Sequence, residues 1–573
     1  MGTISDKLMR IINTKEDIRQ ALISKGYDVP TSIPFKEYAK MILDLPCKVD
    51  SFPDIEGIVA RYSASGLTNE QMAANPVWVD KTGNGHDLQL KNFAWKGMSG
   101  VGGYVADIDE WGTNSTAAYF ERNSIKITAT FKENVSLGLL YHNIKLRQSC
   151  VLKVTGIPEG CDAFLDDRLG NRFYMSEDGV YEIIPSNFLA EALYFSIEKY
   201  PERWYGSKLT IEQLPLYPGA LVFDGVDDYG VCDNFPILTK EKGYTVVVLR
   251  QWDQDFLNTT LTGGLLSTRN YSTGEGVAFE KIESSNKGYW NLGAGGIIDF
   301  AKSPFTWQTS KQYNNVGILK GNKNHGKPLC VGCGLSGGQQ CGRFAIWELV
   351  FLDHDATEEE LTKIKDYFVK TYPWLFPDQA WTVVGKTNED EDRATIANIT
   401  GNGNDLVLSN FGFAEGSGYN EEGEYAGYLV TDGVDDKIIS SIFKMGNDWT
   451  VIGDWELINT GKNDNAGIVK FDSIVIYNYN SVLINIKKGR NILIPDQNTV
   501  NAICSDGRIY SKDWKESIYN EETESTSKNF LTIGYSGNAY TKIAFKNLAI
   551  YPTVLSREDC IKAYNYLQTL KAK

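Results

Sequence analysis

The chain has 573 residues, 12% of them aromatic, with 54 glycines and a formal net charge of −16. Its acidic residues are scattered along the whole length, so the surface repels phosphate backbones and a nucleic-acid partner is not expected. No apolar run approaches the roughly 18 residues that a membrane-spanning helix needs, so no membrane partner is expected either.

The first 50 residues are predicted to be helical. Ile4, Leu8, Ile11 and Ile12 fall at helical spacing, and Thr14 and Asp17 frame the start of a second helix carrying Ile18, Ala21, Leu22 and Ile23. A third helix is predicted after Pro34, through Phe35, Tyr38, Ala39, Ile42 and Leu45, with Pro46 ending it. So short a segment cannot bury a core by itself, so residues 1–50 are expected to dock onto something: as a helical cap on the first β-domain, or as an anchor or oligomerisation module. Met1–Arg10 lacks the basic start, apolar centre and small-residue cleavage site of a secretory leader, and the chain is expected to be made and assembled in a cytoplasm.

From residue 51 onward the chain repeats itself. Thr82-Gly83-Asn84-Gly85-His86-Asp87-Leu88, followed by Asn92-Phe93, returns as Thr400-Gly401-Asn402-Gly403-Asn404-Asp405-Leu406 with Asn410-Phe411 at the same offset. Asp224-Gly225-Val226-Asp227-Asp228 returns as Asp432-Gly433-Val434-Asp435-Asp436. Arg343-Phe344-Ala345-Ile346-Trp347-Glu348-Leu349-Val350-Phe351 is matched by the strand-like run from Lys542 to Tyr551, and a helix opens 14 residues after each run begins (357 − 343 and 556 − 542). Three blocks in one order with matched spacing indicate a duplicated domain.

The spacing also exposes an insertion. Gly83 and Asp224 lie 141 residues apart, whereas Gly401 and Asp432 lie 31 apart, so the first copy carries about 110 additional residues. That stretch reads as strands, with alternation in Ser124–Phe131 and Cys150–Thr155 and a last strand at Leu209–Leu214. The predicted organisation is a helical segment (1–50), a discontinuous first β-sandwich (51–122 and 218–376), an inserted β-sandwich (123–217) and a second β-sandwich (377–573), a mainly β chain.

Chemistry is harder to find. Cys330, Cys333 and Cys341, with His325 upstream, could hold zinc, but the second copy has Thr532 where the first has Cys330, so that strand forms without metal; the cysteines read as free thiols in a strand and its turn. Glycoside hydrolysis needs two carboxylates across a cleft, and Asp227 and Asp228, adjacent on a strand, would face opposite ways. His86, His142, His325 and His354 are scattered with no GxSxG nucleophile, and Gly83-Asn84-Gly85 and Gly401-Asn402-Gly403 lack the Lys-Ser/Thr of a phosphate loop. The chain is therefore not expected to be an enzyme. Sugar binding would use aromatic faces beside polar groups, for which Tyr289, Trp290 and Trp307 in the first copy and Tyr477 and Tyr479 in the second are candidates.

The duplicated unit, on Phe223-Asp224-Gly225-Val226-Asp227-Asp228-Tyr229 and on Leu349-Val350-Phe351 running into Thr357-Glu358-Glu359-Glu360-Leu361, resembles the concanavalin A-like or laminin G-like jelly roll. The second copy departs at Thr431, Lys437 and Pro552. This resemblance implies two jelly rolls and makes calcium a possible cofactor at Asp224, Asp227, Asp432 and Asp435; the bland alternative is that each Asp-Gly is a tight turn. The run from Thr14 to Gly26, followed by Phe35-Lys36-Glu37-Tyr38-Ala39-Lys40-Met41-Ile42, is similar to the start of head-fibre and tail-fibre proteins of Bacteroidales phages, including crAss-like phages. That resemblance implies a virion protein attached through residues 1–50 to other virion proteins, a homo-oligomer of trimeric kind, and jelly rolls presented outward to host-surface or mucus glycans. Its alternatives are a purely structural virion protein without glycan affinity, and a polysaccharide depolymerase.

Overall fold

The computed structural model describes residues 52–105 and, with internal gaps, 112–268, 278–299, 328–458 and 467–572. Of the first 51 residues it describes Lys15 and Arg19, both helical; the rest of the expected helical segment lies outside the described residues, as do Trp307 and Tyr479. Met1–Asp54 and Ile55–Lys573 are separate compact units. The second unit is mainly β and built from sandwiches.

In the first copy, strand Arg343–Leu352 is the spine of one sheet. It pairs on one side with Ile58–Ser63 and Leu221–Asp224 and on the other with Thr245–Trp252. A ten-stranded sheet lies against it, running from Val77–Trp78 through Leu88–Lys91, Tyr229–Cys232, Leu329–Val331, Gly263–Ser267 and Ala278–Lys281 to Lys287–Trp290 and Ile297–Asp299. Between them are buried Tyr62, Trp78, Phe223, Trp252, Phe344 and Phe351. The alternation of Leu88–Lys91, buried and exposed by turns, shows why the period-2 pattern forms a strand here.

The second copy repeats this plan. Strand Ile543–Tyr551 is the spine, flanked by Gln379–Thr382, Leu429–Val430 and Thr450–Leu457, and an eight-stranded sheet from Thr395–Ile396 to Arg490–Ile494 faces it across Trp381, Trp449, Trp455 and Phe545. Even the irregularities recur: the strand beside the spine slips register against it between Leu249 and Arg250 in one copy and between Asp454 and Trp455 in the other. Each spine leads into a helix. Glu358–Thr371 starts with a capping box in which Thr357 and Glu360 satisfy each other's backbone N–H, and in Arg557–Leu567 the Ser556 hydroxyl accepts from the Asp559 N–H.

The inserted chain builds two sheets of its own around Phe131, Leu152, Leu165, Phe195 and Trp204. Strand Ala118–Arg122, ahead of the expected start at 123, pairs along its whole length with Lys126–Phe131 and belongs to the insert, because a tight turn at Asn123 joins the two. The two copies are packed together through the last helix. The Tyr566 hydroxyl donates to Gln251 Oε1 (2.9 Å) and its ring meets Trp347 edge-on at 5.9 Å, while the Tyr551 hydroxyl donates to the Trp374 carbonyl (3.0 Å). No helix among the described residues is long and apolar enough to cross a membrane.

Candidate functional site

The repeated motifs converge on two loops in each copy, so they mark the place where a shared chemistry would be found. In the first loop, Asp80 Oδ1 accepts from the Arg61 N–H (3.0 Å), the Thr82 N–H (3.0 Å) and the Thr82 hydroxyl (2.8 Å). Asn398 Oδ1 does the same for Ala380 (3.2 Å) and for the N–H (3.1 Å) and hydroxyl (2.9 Å) of Thr400. Asn84 and Asn402 then donate to the carbonyls of Val59 (2.9 Å) and Asp378 (2.8 Å), and Asp87 and Asp405 accept from the N–H of Asp80 and of Asn398, both at 2.8 Å. The asparagines of the TGNG block are thus spent on backbone carbonyls and its threonine hydroxyls on the Asp80 and Asn398 side chains of the same turn, which is what Asx and Ser/Thr turns do.

The second loop carries the acidic cluster. Asp224 Oδ1 accepts from the N–H of Val226 (2.7 Å), and Asp432 Oδ1 accepts from that of Val434 (2.7 Å). The acid four residues after each, Asp228 or Asp436, folds back: the Asp224 N–H donates to Asp228 Oδ2 (3.0 Å) and the Asp432 N–H to Asp436 Oδ2 (2.7 Å). Their other oxygens accept from the hydroxyls of Ser99 (2.9 Å) and Ser417 (3.1 Å). Asn92 and Asn410 close the lock by donating to the carbonyls of Asp227 (3.0 Å) and Asp435 (2.9 Å). Gly225 and Gly433 are required, since each sits at positive φ (77° and 75°) and a Cβ on Gly225 would lie 2.8 Å from the Arg343 Cβ.

Strand Tyr229–Cys232 begins after the acidic pair, so Asp227 and Asp228 lie in the turn and not on a strand. One oxygen from each of Asp224, Asp227 and Asp228 therefore comes within 4.8 Å of the others, as happens for Asp432, Asp435 and Asp436. Asp228 and Asp436 join clusters for which the sequence had offered only Asp224, Asp227, Asp432 and Asp435. Burial, reinforced by Asp224, pushes the Asp228 carboxyl up to about 7, and burial pushes Asp436 up to about 6. This donor set fits calcium poorly. A calcium ion takes six to eight oxygens, whereas here two of the three carboxylates in each cluster already accept from backbone N–H groups. Addition of 5 mM calcium is expected to leave the thermal midpoint unmoved; a rise of several degrees would show a bound ion, through mass action on the folded state.

No protein-family model matches the chain, and no curated protein matches it. Among solved structures, a sialidase of Trypanosoma rangeli in complex with sialic acid covers 78% of this chain and 83% of its own at 8% identity, with a TM-score of 0.25. The binding domain of botulinum neurotoxin serotype D covers 60% and 89% at 13% identity, with a TM-score of 0.24. At such scores neither molecule is a guide to the chemistry of this one.

The described aromatic candidates, Tyr289, Trp290 and Tyr477, fall on the large sheets at positions that do not correspond. Tyr289 and Trp290 are paired with Glu280 and Phe279, on the second strand beyond Gly263–Ser267. Tyr477 lies on Ile474–Asn478, directly beside Gly467–Phe471, the second copy's counterpart of Gly263–Ser267. The thiols of Cys330, Cys333 and Cys341 are buried together beside Tyr229 and Val231, with Cys333 opposite Cys341 on adjacent strands.

Proposed function

We propose that the chain is a non-catalytic phage virion protein, a head- or tail-fibre subunit that presents β-sandwich domains for adhesion to host-surface or mucus glycans. The observation that carries this reading is the use of the repeated polar residues. The side chains at matching positions of the two copies, Asp80 and Asn398, Asp224 and Asp432, Asp228 and Asp436, hold turns closed, so the duplication preserves a scaffold. A chemistry common to both copies would have kept such groups free to meet a substrate. The packing of the last helix on Trp347 and Gln251 supports presentation, because it joins the two sandwiches. Weak contacts on such a body gain by multiplicity when subunits associate and copies are many.

The test compares the full-length chain with a version starting at Ser51, on virions lacking the protein and on glycan-coated surfaces. Full-length protein is expected to bind both, and the shortened version to keep glycan binding while losing the particle. Equal particle binding by both versions, with no glycan signal, would overturn anchor and adhesion alike.

A further inference from the structure

The insert has no counterpart in the second copy, and one of its faces gathers aromatic and charged side chains. In strand Asp162–Asp166 the side chains of Ala163 and Leu165 enter the core, which turns Phe164 and Asp166 to the opposite face. On the neighbouring strand Arg172–Met175, Met175 enters the core while Arg172 and Tyr174 are exposed. Register places Tyr174 opposite Phe164 and Arg172 opposite Asp166, with Glu198 on the strand beyond.

These residues make a connected surface. Arg172 lies over the Phe164 ring, 4.6 Å from its centroid, and the Tyr174 ring leans on the same phenylalanine at 5.4 Å and 41°. Arg172 Nε faces Asp166 Oδ2 at 3.5 Å, and its Nη1 faces Glu198 Oε1 at 3.6 Å and donates to the Tyr174 hydroxyl at 3.3 Å. The Tyr174 hydroxyl donates in turn to Glu198 Oε2 at 3.4 Å. Tyr174 is 45% exposed, and the side chains of Arg172 and Glu198 are 41% and 39% exposed. The result is a half-open aromatic ring, braced from behind, beside a planar donor fork and two carboxylates.

From this arrangement we infer that the outer face formed by Phe164, Asp166, Arg172, Tyr174 and Glu198 is a binding site for neutral pyranose residues of a glycan. A pyranose offers an apolar C–H face for Tyr174 and a ring of hydroxyls that both donate and accept. Asp166 and Glu198 accept from such hydroxyls and Arg172 donates to them; its Nη2 takes part in none of the contacts above. The fork is already oriented by its two carboxylates, so little side-chain entropy is lost on binding. One positive charge against two negative ones disfavours sialic or uronic acids, which selects neutral hexoses and N-acetylhexosamines. The inference rests on the adhesion reading and assigns it a surface.

The experiment applies the full-length chain to a printed array of neutral hexose, N-acetylhexosamine and sialylated oligosaccharides. Wild type is expected to bind neutral glycans, Tyr174→Ala to bind them about tenfold more weakly or worse, and Tyr174→Phe, which keeps the ring, to retain most of the affinity. Tyr119→Ala, at an exposed tyrosine on the insert's other sheet, should bind as wild type and controls for folding of the insert. Equal binding by wild type and Tyr174→Ala would overturn this site while leaving adhesion to another surface. Binding confined to sialylated glycans would overturn the site as well. No binding to any glycan by wild type would remove both the site and the adhesion reading.

Discussion

Arg61→Ala is expected to destabilise the first sandwich by about 3–5 kcal/mol, the range for removing one partner of a buried ion pair. Arg61 is 4% exposed and the Glu348 side chain is fully buried; Nε donates to Oε2 at 3.2 Å and Nη2 to Oε1 at 3.4 Å. Around them the Tyr367 hydroxyl accepts from Arg61 Nη2 (2.8 Å) and the Tyr372 hydroxyl donates to Glu348 Oε1 (2.9 Å), which ties helix Glu358–Thr371 to the sheet beneath it. Burial pushes the Glu348 carboxyl up and Arg61 opposes that shift. Once the guanidinium is gone, the acid must either take a proton or remain an unpaired buried charge, and the loss should be larger at pH 8 than at pH 5. Chemical denaturation at both pH values checks this. Arg61→Met combined with Glu348→Gln, which removes both charges together, should recover much of the stability. An Arg61→Ala protein as stable as wild type would contradict the role assigned to the pair.

Asp228→Asn is expected to raise stability above wild type at pH 8 and to flatten the dependence of stability on pH. The carboxyl titrates near 3.8 when exposed and at about 7 in the fold, so the folded state holds its proton more tightly than the unfolded state. The stabilisation that this proton provides is complete below about pH 4. It is lost progressively as pH rises towards 7, and the largest loss the shift allows is about 4 kcal/mol. Asp436, at about 6, adds a smaller effect of the same sign in the second sandwich. Asparagine fits the lock without charge, because its oxygen can accept from the Asp224 N–H while its amide donates to the Ser99 oxygen. Thermal midpoints of wild type and variant between pH 4 and pH 8 decide the matter: parallel curves would show that Asp228 does not titrate in this range.

Much of the scaffold was legible. The three repeated blocks marked the two spines, the capped helices after them and the turns that now hold Asp80, Asn398, Asp224 and Asp432. Part of the lock is legible at matched spacing, since Ser99 follows Asn92 by seven residues as Ser417 follows Asn410, yet these serines fall beyond the Asn-Phe that closes the repeated block. Other features were out of reach. Arg61 and Glu348 are 287 residues apart, and the second copy has Asn547 where the first has Glu348, so no repeat announced that pair. The insert face draws Phe164, Arg172 and Glu198 from three strands of a segment that occurs once, and neither periodicity nor duplication can bring such residues together. The aromatic candidates were chosen as residue types beside polar neighbours, and strand register then placed Tyr289 and Tyr477 on strands that do not correspond.

We propose that this chain holds glycans and does not cut them. This is tested by incubating the full-length protein with purified bacterial capsular polysaccharide, measuring the polysaccharide retained on immobilised protein and its chain length before and after. Retention with unchanged chain length is the expected result. Progressive shortening of the polysaccharide would contradict the account and make the chain a depolymerase.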